Sequence, residues 1–155
     1  MNDRTDRAGV VFPPPLVMLI ALLAALGLQQ LWPLSVPGRP FAMAIGAVLS
    51  LLGVGIAISG RLALKRAGTN VNPYKPSSAI VRDGSYRFSR NPLYLGMCLL
   101  LVGLTLLAGT WWGLPLLVPA FLVLHYGVVL REEAYLERKF GQAYLDYKNS
   151  VRRWI

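Results

Sequence analysis

The chain has 155 residues, of which 55% are hydrophobic and 15% charged, and its mean hydropathy is +0.49. A soluble domain of this size carries about 25% charged residues, so the composition points to a single membrane domain. The net charge of +9 comes without a nucleic-acid-binding pattern and reads as loops facing anionic lipid, while a single cysteine, Cys98, excludes an intramolecular disulfide and, with a single histidine, His125, leaves almost no room for a metal or haem site.

In chain order, Met1 to Val11 is short and polar, with Arg4 and Arg7 offset by Asp3 and Asp6. Pro13, Pro14 and Pro15 lead into a first apolar helix expected over 16–31, closing beside Trp32. Ala25-Leu26-Gly27 loosely matches the small-x-small site of a signal peptide, but the apolar run continues past it and a retained span is expected. Leu34 to Pro40 is a turn-rich connection whose one charge is Arg39. The second span, over 41–59, carries Gly46, Ser50, Gly53, Gly55 and Ser59. The spacing of Gly46 with Ser50, and of Gly55 with Ser59, predicts small faces for close helix approach in lipid, a packing device rather than a site.

Residues 60–91 form a long polar loop with Arg61, Lys65, Arg66, Lys75, Arg82, Arg87 and Arg90 against Asp83 alone. Pro73 and Pro76 keep its middle irregular, and so long a loop in so small a protein is expected to be functional. A third span is expected over 92–107, a tight turn at Gly109-Thr110, and a fourth span over 111–130 that Pro115 and Pro119 should kink. Trp111 and Trp112 suit an aromatic belt. Beyond Leu130, Leu136, Phe140, Tyr144, Tyr147, Val151 and Trp154 recur at steps of three or four among basic residues. That pattern predicts an amphipathic helix on the membrane face, with Gly141 as a possible break, either anchoring the tail or covering a site.

The expected architecture is therefore all-α: one domain over 1–155, a multi-pass bundle of four spans with a hairpin between the third and fourth, and a C-terminal amphipathic interfacial helix. Every lysine and arginine except Arg39 then falls on one side. The positive-inside rule makes that side, with both termini, the 60–91 loop and the 131–155 tail, cytoplasmic.

The four expected spans contain no Asp, Glu, Lys or Arg, so chemistry is expected at their cytoplasmic ends. One cluster there is Tyr86, Arg90, Asn91 and Tyr94. Asn91 suits an N-cap and Pro92 the first helical position, and the dipole end beside Arg82, Arg87 and Arg90 would seat an anion. The other cluster, Arg131, Glu132 and Glu133, ends the fourth span and is brought near by the hairpin. A ligand with both anionic and cationic or hydroxyl groups would suit the pair; a surface ion pair of little energetic weight is the alternative. His125 lies two turns before Glu132, about 10 Å along the same face, and either shares a ligand with it or bonds a neighbouring helix.

Together these residues resemble the isoprenylcysteine carboxyl methyltransferase and phospholipid methyltransferase superfamily of integral membrane enzymes. The family pattern Gly-x-Tyr-x-x-x-Arg-His-Pro-x-Tyr-x-Gly is met by Gly84, Tyr86, Arg90, Pro92, Tyr94 and Gly96. Its later Arg-x-x-x-Glu-Glu-x-x-Leu is met by Glu132, Glu133 and Leu136, followed by Phe140-Gly141 and Tyr144. The resemblance covers about Pro73 to Ile155 and implies methyl transfer from S-adenosylmethionine to a lipophilic acceptor at the cytoplasmic membrane face, similar to that of isoprenylcysteine carboxyl O-methyltransferase, with no metal. It would place cofactor contacts on Ser78, Ala79, Ile80, Val81, Tyr86, Arg90, Asn91, Pro92, Leu93, Tyr94 and Glu132. The carboxylate could pair with an amine or sulfonium, and the cationic helix start with a carboxylate.

Two positions depart from the family pattern. Asn91 stands for the histidine and cannot titrate, and Val128 stands for the arginine used on substrate. A prenylcysteine carboxylate would then need Arg131 or a loop arginine. An amine acceptor such as phosphatidylethanolamine would need a base, for which Glu133, Tyr94 and His125 are the candidates. A thiol acceptor is a further alternative, and a non-catalytic scaffold or lipid-binding protein is the alternative outside enzymes.

Overall fold

The computed structural model describes residues 8–155; the charges expected at Asp3, Arg4, Asp6 and Arg7 lie outside the described residues. Among the described residues the chain is all-helical. It forms α1 (Pro14–Leu31), α2 (Arg39–Arg66), a 3-10 turn (Gly84–Arg87), α3 (Pro92–Leu107) and α4 (Gly113–Leu124). A π turn, His125–Val129, joins α4 to α5 (Leu130–Phe140), and α6 (Gln142–Ser150) follows. Three stretches are long and apolar enough to cross a membrane: Pro14–Leu31, Arg39–Arg66 and Gly113–Phe140. At 16 residues α3 is shorter. Its length is about 24 Å at 1.5 Å per residue, against about 30 Å of hydrocarbon.

α2 runs past its expected end at 59 because Arg61-Leu62-Ala63-Leu64-Lys65-Arg66 consists of good helix formers. It stops at Gly68, whose φ of 65° lets the Gly68 amide bond the Lys65 carbonyl and the Thr69 amide the Leu64 carbonyl. This is the Schellman arrangement that satisfies terminal carbonyls.

α2 and α3 form the most extensive helix pair. Their backbones nearly touch: a Cβ added at Gly53 would lie 2.6 Å from the Gly96 carbonyl oxygen, and one at Gly46 2.7 Å from that of Gly103. The small face is therefore Gly46, Ser50 and Gly53, continued by Gly60. Gly55, expected with Ser59 to form a further small face, has open space around its Cβ position. Ser59 instead accepts a hydrogen bond from the Ser85 amide at 3.2 Å, while Ser85 Oγ donates to the Ile56 carbonyl. The 3-10 turn is thereby docked on the end of α2.

At the far end, the two inter-helix connections clasp each other. Val36 N donates to the Gly109 carbonyl and Trp111 N to that of Leu34. Gln29 Oε1 accepts from Thr110 Oγ1 at 2.8 Å and from Leu34 N at 2.9 Å. Trp112 Nε1 donates to the Trp32 carbonyl.

The second departure is at the C-terminal end. α4 stays helical through Pro119, and the helix does not stop at Leu130 but continues to Phe140. The amphipathic tail is two helices divided at Gly141, where φ is 54°. Tyr144 and Tyr147 are buried against the loop, and residues 151–155 are not helical. Trp154 packs on Phe121, ring centroids 4.8 Å apart, and on His125 at 6.1 Å.

Candidate functional site

The loop after α2 is laced to the C-terminal helices. Tyr135 Oη accepts from the Ser77 amide at 3.1 Å, and Arg82 donates to the Ala143 carbonyl. Tyr147 Oη donates to the Tyr86 carbonyl at 2.8 Å. Under this lacing lies a cleft with about 840 Å³ of empty space, part of it open to solvent. It is walled by the loop, the start of α3, α5 and α6.

Among the residues expected at a site, Ala79, Ile80, Val81, Tyr86, Arg90, Asn91, Leu93, Tyr94, Glu132 and Glu133 all line this cleft. The geometry joins the two sequence clusters directly: Tyr94 Oη donates to Glu132 Oε1 at 2.8 Å. Glu132 lies beyond the apolar stretch that ends at Leu130. Burial pushes its carboxyl up to about 7, with the Tyr94 hydrogen bond acting in the opposite direction and Glu133 adding to the rise. Burial, then the nearby Glu132, also raises the Tyr86 hydroxyl.

Glu133 has a different situation. Arg153 bonds both of its oxygens, at 2.8 Å for the shortest contact, and Arg90 Nη2 lies 3.1 Å away. Its carboxylate is held by two guanidinium groups and is poorly placed to take a substrate proton. Arg90, expected as a free cation at a helix start, is buried and also donates to the carbonyls of Lys148 and Val151. Its Nε is buried without a partner. A buried donor left unmade is costly, and the ion pair and carbonyl bonds of the same guanidinium offset that cost.

Asn91 occupies the cap position and lines the cleft, but its side chain makes no capping bond and its Nδ2 donates to the Arg153 carbonyl at 3.1 Å. Four expected residues lie elsewhere. Ser78 braces the loop, its amide bonding Thr69 Oγ1 and its hydroxyl the Gly68 carbonyl, and does not line the cleft. Pro92 is buried in the first turn of α3. Arg131, expected toward substrate, is outside the cleft and donates to the Gly9 carbonyl at 3.2 Å. His125 also lies outside, among Phe121, Tyr126 and Trp154, and its Nδ1 is buried without a partner. The π turn contributes to this: its wider winding shifts the residues after it around the helix axis relative to His125.

Cleft residues that the sequence motifs did not single out include Asn70, Asn72, Lys75, Ser77, Tyr135 and Tyr147. Tyr147 was visible only as part of an apolar stripe, which does not say what covers it.

A family model for phospholipid methyltransferases matches residues 41–143, about two thirds of the chain. The chain belongs to the phospholipid methyltransferase family. That match takes in α2 as well as the two motifs, which agrees with α2 and α3 being built as one glycine-packed unit. Membership makes this a membrane methyltransferase in general terms. An uncharacterized protein of Haemophilus influenzae is 41% identical over 66 residues, which is 41% of this chain and all of that relative. Within the family framework, Val128 is fully buried in the core, so no cation stands at that point of the helix.

Proposed function

We propose that this family member uses S-adenosylmethionine to methylate a lipophilic acceptor at the cytoplasmic membrane face. The four-helix arrangement would carry α3 as a short span, with the cleft, both termini and the 60–91 loop on the cytoplasmic side. The observation that carries the reading is the Tyr94–Glu132 hydrogen bond, which joins the two family motifs inside one cleft.

The donor set fits the cofactor. Glu132 retains an oxygen for an amine or hydroxyl, and the tyrosines at 86, 94, 144 and 147 line the cleft with aromatic faces that attract a cation. When bound, the cofactor supplies an electrophilic methyl on a sulfonium. The protein's part is to orient the two reactants and exclude water, for which the loop and α6 already cover part of the cleft.

Of the acceptor classes, a carboxylate is disfavoured by two placements: Val128 is buried in the core and Arg131 is bonded to Gly9. An amine-bearing phospholipid fits better. Its ammonium must shed a proton before nitrogen can form a bond to the methyl as the carbon–sulfur bond breaks. Tyr94 Oη can accept from the acceptor's N–H while its own proton is directed at Glu132 Oε1, so the proton leaves along that pair. Thiol transfer remains the alternative acceptor chemistry.

Calorimetry of the full chain with S-adenosylhomocysteine tests the reading. Binding by the parent and at least tenfold weaker binding by Glu132→Ala are expected. No binding by monodisperse parent protein would leave the non-catalytic scaffold as the correct class.

A further inference from the structure

A second hollow runs beside the cofactor cleft, with about 1410 Å³ of empty space, part of it open to the surroundings. Its walls are the proline turn that starts α1, the outer face of α2 at Val54 and Ile58, and α3 at Met97 and Leu100. Val54 and Ile58 are exposed although apolar, as residues facing acyl chains are. The groove adjoins the cleft, Leu93 and Tyr94 lining both. One lining residue is charged. Arg61 comes just after the apolar run of α2 that ends at Ile58, where its charge favours the headgroup level over hydrocarbon. Among the described residues no hydrogen bond or ion pair engages Arg61, and no Asp or Glu lines the groove.

We propose that this groove holds the acceptor as a membrane phospholipid, one acyl chain lying along α2 and α3 and the phosphate paired with Arg61. A guanidinium meets a phosphate with parallel hydrogen bonds, so an otherwise unengaged arginine at headgroup depth complements a phosphate in both charge and geometry. An acyl chain matches the apolar walls of the groove. With the phosphate on Arg61, the rest of the headgroup lies at the junction lined by Tyr94, where groove meets cleft. Arg61 thereby takes over acceptor recognition, which the buried Val128 cannot provide. The inference rests on the methyltransferase reading for its purpose, but lipid occupancy can be measured without turnover.

The test uses the full chain in detergent micelles with two photoreactive probes, phosphatidylethanolamine and diacylglycerol, each carrying a diazirine in the same acyl chain. Cross-links located by peptide mass spectrometry should fall on the Val54–Arg61 and Met97–Leu100 segments. The phospholipid should label them about tenfold more than the neutral lipid, the size of one charge-assisted contact. Arg61→Gln should bring that ratio near one while S-adenosylhomocysteine still binds, since Arg61 does not line the cleft. Val54→Trp should remove the groove labelling by both probes. A parent ratio near one, or an unchanged ratio in Arg61→Gln, overturns the role of Arg61. Labelling that ignores Val54→Trp overturns the groove. An oleate probe that labels as strongly as the phospholipid overturns the choice of phosphate. Loss of cofactor binding in the parent would sink the methyltransferase reading and leave these lipid results standing.

Discussion

At residue scale, Glu132 and Glu133 are sequence neighbours with opposite fates. Glu133 is neutralised by Arg90 and Arg153, whereas Glu132 has a tyrosine hydroxyl and a cleft. The Glu132 carboxyl is pushed up to about 7 from an ordinary 4.5, so the empty folded state holds a proton that the unfolded chain releases. Its contribution to stability therefore falls as pH rises between those values. A cationic ligand prefers the ionised carboxylate and must displace that proton. S-adenosylhomocysteine, whose amine is cationic, should bind more tightly as pH rises through about 7 and level off above it. Glu132→Gln should lose that slope, and calorimetry across pH would show whether it does. Glu133 gives the contrasting prediction. Glu133→Gln leaves the buried Arg90 without its counter-charge and should cost about 3–5 kcal/mol. Arg153→Ala, on the more exposed partner, should cost far less. Thermal unfolding in detergent compares them, and equal losses would contradict the buried-pair account.

At the scale of elements, the α2–α3 pair shows how glycine determines geometry. Without a hydrophobic driving force between helices in lipid, close backbone approach supplies the attraction. Gly53→Ala would place a Cβ 2.6 Å from the Gly96 carbonyl oxygen, forcing the helices apart at a cost of about 1–3 kcal/mol. Gly55→Ala meets open space and should be neutral or slightly stabilising, because alanine is the better helix former. Thermal midpoints of the two variants check this. The sequence showed that α2 carried small residues, but spacing by four selected Gly55 along with the true contact face. A helix has many four-residue pairs, and only the neighbour's position says which are used. The tail behaves likewise. The stripe through Tyr144, Tyr147 and Trp154 was legible, yet a membrane surface and a protein cleft are equally apolar partners for it. The folded chain resolves this through the hydrogen bonds from Arg90, Ser89 and Asn91 to the carbonyls of residues 151–153.

At the scale of the whole molecule, the charge asymmetry predicts orientation independently of the site. Single-cysteine variants on a Cys98→Ala background should react with an impermeant thiol reagent from opposite sides. Asn72→Cys should be reached from the cytoplasmic side and Gly109→Cys from the outside. Labelling of both from one side would mean that α3, at 16 residues, does not cross.

The sequence by itself determined the class of the protein: apolar runs, an excess of basic loops and two spaced motifs define a membrane methyltransferase of this family. Those properties are local and survive translation into any packing. Only the tertiary structure decided which members of the motifs face the cleft, because that depends on contacts between residues distant in sequence. Tyr94 meets Glu132 across two helices, Glu133 is held by an arginine from the tail, and a π turn shifts His125 relative to the residues after it. Hydrophobicity is read residue by residue, whereas the partner of a buried charge is chosen by the fold.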